Sequence, residues 1–188
     1  MGLINWTIEK PVIPVYFTGW MEEDTLETIK TLGEQYDFKT ILEIGTYCGL
    51  SSKAFLDANL NAELYCVDTW TAEWSAIYNA VAFPREQCIA NLWEYRNRVE
   101  LIQLPSTEGT QWLFDRGIKP DMIFIDGDHS YDGVYADLNL CLELFPDSFT
   151  WGHDFTWESV RCAMQDTCKK WGFKFEDKGN TWFIDKGK

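Results

Sequence analysis

The residues of this sequence best suited to chemistry are its two histidines and the acids beside them. His129 stands in the run Asp126, Gly127, Asp128, His129, Ser130, and His153 in the run Gly152, His153, Asp154; the chain has no other histidine. Each cluster directly follows a short apolar run, at 122–125 and 149–151. Brought together, Asp126, His153 and Asp154 would make a mixed oxygen and nitrogen site for a divalent cation, with waters or substrate oxygens completing its shell. Such an ion would act as a Lewis acid and a template, lowering the pKa of a bound hydroxyl and fixing its oxygen in line with an electrophile. A neutral imidazole three residues beyond Asp126 is poised near pH 7 to remove the hydroxyl proton, which makes His129 the candidate general base. One histidine alone reads most simply as a satisfied structural residue; two beside carboxylates favour a site. Asp128 suits either a supporting acceptor or a solvated loop carboxylate, and Tyr131 and Asp132 read as the start of the next helix.

A second cluster follows the apolar run 40–44: Glu43, Ile44, Gly45, Thr46, Tyr47, Cys48, Gly49, Leu50, Ser51. Gly45 and Gly49 let the backbone turn sharply and approach a ligand closely. Ser51 and Ser52 can cap a helix whose N-terminal amides attract an anionic group such as a carboxylate. The next run ends at Asp68, where a carboxylate can accept both hydroxyls of a ribose. The pair implies a nucleoside cofactor, set against the plainer reading of tight-turn glycines beside a solvent-facing acid. A dinucleotide, and with it an oxidoreductase, is disfavoured because Tyr47 takes the place of the middle glycine in GxGxxG. Trp70 and Trp74 have rings able to stack on a purine, although in a chain with ten tryptophans each also reads as packing.

The elements that must position these groups are legible as alternation. Apolar runs at 40–44, 63–67, 99–104, 122–125 and 149–151 read as strands, and the stretches near 51–59, 83–97, 107–116, 131–144 and 156–171 read as helices. Alternation of this kind predicts a parallel sheet covered by helices on both faces. The tail differs, because 173–176 and 182–184 flank Asp177, Lys178, Gly179 and Asn180, a set of turn formers that predicts an antiparallel hairpin. A helix is expected over 22–35 and an irregular aromatic arm over 1–20. In open sheets of this kind ligands sit beyond the carboxyl ends of the strands, where both clusters fall.

The segment ILEIGTYCGLSS, with FIDGDHSYDGVYADL and WGHDFTWESV, resembles the class I S-adenosylmethionine-dependent methyltransferases. The first segment is similar to the catechol and caffeoyl-CoA O-methyltransferase branch, and the others to natural-product and macrolide-sugar O-methyltransferases. The resemblance spans about residues 40–185. It implies a Rossmann-like, doubly wound α/β fold with a mostly parallel seven-stranded sheet and a C-terminal antiparallel hairpin. It further implies that Glu43, Gly45, Thr46, Tyr47 and Gly49 hold the methionine portion of S-adenosylmethionine, Ser51 its carboxylate and Asp68 the ribose. Thr69 and Trp70 would lie beside the adenine, with Ser106 and Asp126 completing the cofactor contacts. In metal-dependent relatives the residue matching Asp126 and an acidic pair on the next strand bind magnesium, and the residue matching His129 is the base. His153 stands where a carboxylate is common. Asp126 and Asp154 alone could therefore hold the ion, or His153 could join them and favour manganese.

Composition bounds the partners. With 188 residues and no Pro-, Gly- or Ser-rich linker, one domain over 1–188 is expected. A net charge of −14 removes the electrostatic source of binding to nucleic acid and anionic membranes. Six scattered cysteines without a CxxC pair suit reduced thiols, and the absence of an apolar run of spanning length suits a cytoplasmic protein. The expectation is an O-methyltransferase acting on a small-molecule hydroxyl, on a sugar or a related polyol or phenol. The competing reading is a non-catalytic protein that binds the same cofactor. The arm bearing Trp6, Tyr16, Phe17 and Trp20 is left as a lining of the substrate cleft or an interface between copies.

Overall fold

The structure, a computed structural model, describes residues 6, 9–71 and 81–187; Trp74 lies outside them. In chain order the described elements are α1 (Glu23–Gln35), β1 (Thr40–Ile44), α2 (Leu50–Ala58), β2 (Glu63–Asp68), α3 (Pro84–Leu92), β3 (Val99–Gln103), α4 (Ser106–Asp115), β4 (Met122–Ile125), α5 (Tyr131–Leu144), β5 (Phe149–Gly152), α6 (Glu158–Trp171), β6 (Lys174–Lys178) and β7 (Thr181–Asp185). The strands form one seven-stranded sheet in the order β3-β2-β1-β4-β5-β7-β6. Strands β1 to β5 run parallel, and β7 is antiparallel to both β5 and β6. This is the doubly wound, Rossmann-like arrangement that the resemblance implies, and its parallel part is the one expected from the alternation.

The sheet is apolar on both sides because it is covered on both sides, so its strands read as continuous hydrophobic runs. The period of two sorts them. Ile41, Leu64, Phe124 and Trp151 face one layer with Ile29 of α1 and Phe55 and Leu56 of α2. Leu42, Ile44, Ile123 and Ile125 face the other with Val134, Leu138 and Leu142 of α5, Val160 and Met164 of α6, and Trp182. The same alternation gives Glu43 and Asp126 the parity of Phe124, and His153 that of Trp151, all on the α1 side.

Three expectations are corrected at element ends. The helix expected over 83–97 stops at Leu92 and tightens into a 3₁₀ turn at Trp93–Tyr95. The hairpin turn is shorter than the four turn formers suggested: Asp177 and Lys178 belong to β6, and Gly179 takes the left-handed conformation at φ +63°. Ser51 and Ser52 do not cap α2. Its N-cap is Gly49 at φ +80°, because the helix begins one residue earlier and both hydroxyls turn inward to Glu43.

Candidate active site

The site occupies the carboxyl ends of β1, β2, β4 and β5, where the pairing of the strands carries on into the loops. Gly45 N donates to Val67 O at 2.9 Å, Asp126 N to Ile44 O at 2.8 Å and His153 N to Ile125 O at 3.2 Å. Three of these loop residues, Tyr47 (φ +47°), Trp70 (φ +45°) and Asp154 (φ +58°), are non-glycine residues in the left-handed region. Backbone of this kind persists only where its surroundings over-determine it, and it gathers at functional sites.

Beneath the β1–α2 turn, Glu43 is fully buried. Its carboxyl accepts hydroxyl hydrogen bonds from Ser51, Ser52 and, at 3.0 Å, Thr46, and a contact from the Cys66 thiol. Burial raises its pKa to about 7 against the lowering pull of those donors. Asp68 latches the turn from β2: Oδ2 accepts the amides of Thr46 (3.0 Å) and Tyr47 (2.8 Å), and Oδ1 accepts Trp70 N at 2.7 Å. Burial lifts Asp68 above the usual carboxylate range in spite of these amides. Gly45, at φ +89°, lies so close to the β4 loop that a Cβ there would sit 1.9 Å from Asp126 O. The turn and the Asp126 loop therefore form one continuous surface, with the N-terminal amides of α2, which lack intrahelical acceptors, at its edge.

Trp70 is 7% exposed, packs into the core, and donates its indole N–H to Tyr47 O at 2.8 Å. Thr69 beside it is exposed and faces Thr71, with hydroxyl oxygens 3.5 Å apart. Ser106 opens α4 next to the buried Asp137 of α5. Burial raises Asp137 to about 6, with the Ser106 hydroxyl pulling it down.

At the ends of β4 and β5 the structure gathers all four residues of the histidine clusters. His129 Nε2 lies 2.8 Å from Asp154 Oδ2 and 3.6 Å from Asp126 Oδ1. His153 Nδ1 lies 3.5 Å from an oxygen of each of the same two acids. Donor atoms of Asp126, His153 and Asp154 fall within 4.8 Å of one another, a geometry able to hold a metal ion. The His153 side chain is 1% exposed, against 17% and 15% for Asp126 and Asp154. Its Nδ1 is buried without a hydrogen-bond partner and aimed at the two carboxylates, and an unpaired buried nitrogen is the donor that a cation would require. Burial lowers both imidazole pKa values, but Asp126 and Asp154 outweigh it and bring His129 to about 9 and His153 to about 11. Asp154 is pushed up by burial yet held below the usual carboxylate range by the two imidazoles.

Asp128 serves its own loop, accepting Ser130 N and Ser130 Oγ at 2.9 Å, while Ser130 caps α5 by accepting Gly133 N at 3.1 Å. Tyr131 opens that helix, as expected. Sequence reasoning missed three neighbours of the site. Trp157, half exposed, sets its ring 5.2 Å from that of His129. Glu22, at the start of α1, bonds His153 Nε2 at 2.7 Å, and Asn180 of the β6–β7 turn donates to Glu22 Oε1 and Asp154 Oδ1, both at 3.1 Å. No spacing in the sequence points to Glu22 or Asn180, which reach the site only through the packing of distant elements.

The methyltransferase domain family matches residues 42–155, the stretch from β1 to just past Asp154. No curated protein matches the chain. Among solved structures the chain is similar to a candidate caffeoyl-CoA O-methyltransferase from Staphylococcus aureus, with 20% identity, a TM-score of 0.66, and 89% of this chain and 85% of that one covered. It is similar to an O-methyltransferase from Bacillus cereus in complex with S-adenosylhomocysteine, at 15% identity, TM-score 0.67, and 88% and 82% coverage. A TDP-rhamnose 3'-O-methyltransferase of calicheamicin biosynthesis aligns at 13% identity, TM-score 0.60, and 87% and 78% coverage. At these identities the likenesses show the fold.

Proposed function

The chain belongs to the methyltransferase domain family, and from that premise we propose that it is an S-adenosylmethionine-dependent O-methyltransferase for a hydroxyl of a small molecule. The acceptor is a sugar or a related polyol or phenol. The observation that carries this reading is the meeting of His129 with Asp126, His153 and Asp154 on the same surface as the Gly45 turn. Glu43, Gly45, Thr46, Tyr47, Gly49 and Ser51 form the turn that would receive the methionine portion, and Asp68 would take the ribose. Thr69, Trp70 and Ser106 stand on the adenine side. The likeness to O-methyltransferases, one of them acting on TDP-rhamnose, supports the reaction class.

Asp126, His153 and Asp154 would hold a divalent cation, magnesium or manganese, whose bound form supplies a Lewis acid for the acceptor oxygen. His129 would take the hydroxyl proton in the cation-bound site, where Asp126 and Asp154 are neutralised and no longer keep its imidazole protonated. The half-exposed Trp157 ring beside His129 gives the acceptor a flat apolar wall. We place the enzyme in the cytoplasm, working as one domain over 1–188, with neither nucleic acid nor membrane as partner. No helix among the described residues is long and apolar enough to cross a membrane. Tyr16 and Trp20 are exposed on the arm, Trp20 with its ring 5.5 Å from that of Tyr47, and the arm would line the substrate cleft or meet a second copy.

Titration calorimetry with S-adenosylhomocysteine tests the cofactor: the wild type binds, and Asp68→Ala binds more weakly. No heat from the wild type, or an unchanged affinity in Asp68→Ala, overturns the assignment. Methyl transfer to a panel of nucleotide sugars, polyols and phenols then tests the chemistry. Turnover is lost in EDTA and restored by magnesium, and His129→Gln loses about 10²–10⁴-fold in kcat while still binding S-adenosylhomocysteine.

A further inference from the structure

Resting on the cation reading above, we propose that Glu22 is a positioning residue for that site, accepting the Nε2 proton of His153 so that Nδ1 faces Asp126 and Asp154 and is the nitrogen that exchanges its proton for the cation. Glu22 lies outside the family match, which begins at residue 42. The two ring nitrogens of His153 have unequal surroundings. Nε2 is 2.7 Å from Glu22 Oε2, whereas Nδ1 has no hydrogen-bond partner and looks onto both carboxylates at 3.5 Å. A buried polar atom without a partner is costly, and this one, facing two carboxylates, fits a cationic ligand that the protein itself does not supply. A carboxylate on one imidazole nitrogen and a metal on the other is the arrangement that fixes both tautomer and ring orientation at metal sites.

The rest of the surroundings serve the same end. The His153 backbone is pinned on both sides, its N–H on Ile125 O and its carbonyl on the indole N–H of Trp182 at 2.9 Å. Ring rotation is thus left to Glu22, at 2.7 Å from Nε2, and more distantly to Asn180 Nδ2, at 3.4 Å from the same nitrogen. Glu22 is free for that duty: as N-cap of α1 it uses only its backbone carbonyl, which accepts Thr25 N and Leu26 N at 3.2 Å, and its side chain caps nothing. Asn180 Nδ2 steadies the other Glu22 oxygen at 3.1 Å and reaches Asp154 Oδ1 at the same distance, tying the acid behind the site to an acid within it. An imidazole nitrogen in place of a third carboxylate favours borderline ions, so manganese binds this site more tightly than magnesium.

The test is manganese binding by full-length protein, with free Mn2+ counted by electron paramagnetic resonance and ligand nitrogen detected by pulsed spectroscopy. The wild type binds Mn2+ with an imidazole 14N coupling, and His153→Asp loses the coupling. Glu22→Ala weakens binding about 10–100-fold, with thermal midpoint and S-adenosylhomocysteine affinity unchanged. Glu22→Gln, which keeps an acceptor oxygen for Nε2, recovers most of that loss. Wild-type affinity and coupling in Glu22→Ala overturn the role of Glu22 and leave the cation reading standing, whereas no Mn2+ binding by the wild type overturns the cation reading itself. A coupling that survives in His153→Asp assigns the nitrogen to His129 and overturns the inference. A Glu22→Ala loss accompanied by a fallen midpoint and not recovered by Gln also overturns it, reducing Glu22 to a structural contact.

Discussion

Glu43 is an acid held where ionisation is unfavourable, and its consequences are measurable without any ligand. Its ordinary value is 4.5 and burial raises it to about 7, so between those values the folded chain binds a proton that the unfolded chain has released. Its contribution to stability is complete below pH 4.5 and is lost as pH rises toward and through 7, amounting to about 3 kcal/mol for a shift of this size. Glu43→Gln keeps acceptors and donors for Ser51, Ser52 and Thr46 but cannot ionise. The urea midpoint of the variant should therefore gain on that of the wild type from pH 4.5 to 7 and run parallel above it; a constant difference across that range refutes the buried-acid account. Glu43 was legible as a candidate site residue because it closes an apolar run directly before a glycine turn, and Asp68, Asp126, His153 and Asp154 were legible as candidates for the same positional reason. Its burial under three hydroxyls was not, since nothing local says that Ser51 and Ser52 face inward. Glu22 was illegible for a different reason: it lies 131 residues from His153, and the contact exists only because α1 packs on the face that strand parity assigns to His153.

At the scale of elements, the site depends on how closely two loops approach. Gly45 and Gly117 both have positive φ, +89° and +70°, but a Cβ at Gly45 would meet Asp126 O at 1.9 Å and Gly127 Cα at 2.7 Å, whereas one at Gly117 meets nothing within 4 Å. Gly117→Ala should cost only the backbone conformation, about 1 kcal/mol. Gly45→Ala must in addition push apart the β1–α2 turn and the β4 loop, whose clashing atoms are backbone and cannot swing aside, and should cost roughly 3 kcal/mol. It should also abolish S-adenosylhomocysteine binding, which calorimetry and denaturant midpoints on the pair of variants would read together. The order of elements was legible because a parallel sheet covered on both faces writes each strand as an apolar run. Their ends were less so. The 3₁₀ turn at Trp93–Tyr95 and the start of α2 at Leu50 are settled by backbone hydrogen bonds that amphipathic pattern does not report.

At the scale of the whole molecule, the N-terminal segment joins the two halves of the site rather than trailing from it. Trp6 donates its indole N–H to Val99 O at 2.9 Å and sets its ring edge-on to Trp93, and Gln87 Nε2 donates to Pro14 O at 2.9 Å. The joint that matters is Asn91 of α3, buried, which accepts Tyr16 N at 2.8 Å while its amide donates to Tyr16 O at 2.9 Å and to Cys48 O, inside the glycine turn, at 2.8 Å. From there the segment runs to Glu22 at the other end of the site. Asn91 reads in sequence as an ordinary polar helix residue, so neither the course of the arm nor its link to the turn was foreseeable. Asn91→Ala strands the Tyr16 amide and two carbonyls, a loss of about 2–3 kcal/mol that should lower the thermal midpoint by roughly 4–12 °C. Because one of those carbonyls belongs to the turn that would receive the cofactor, S-adenosylhomocysteine affinity should fall with it. Lys10→Ala, which removes only the exposed arm pair with Glu94 at 3.0 Å, should change neither by a measurable amount. A lowered midpoint in Asn91→Ala with unchanged affinity would show that the segment braces α3 alone and that the cofactor turn stands without it.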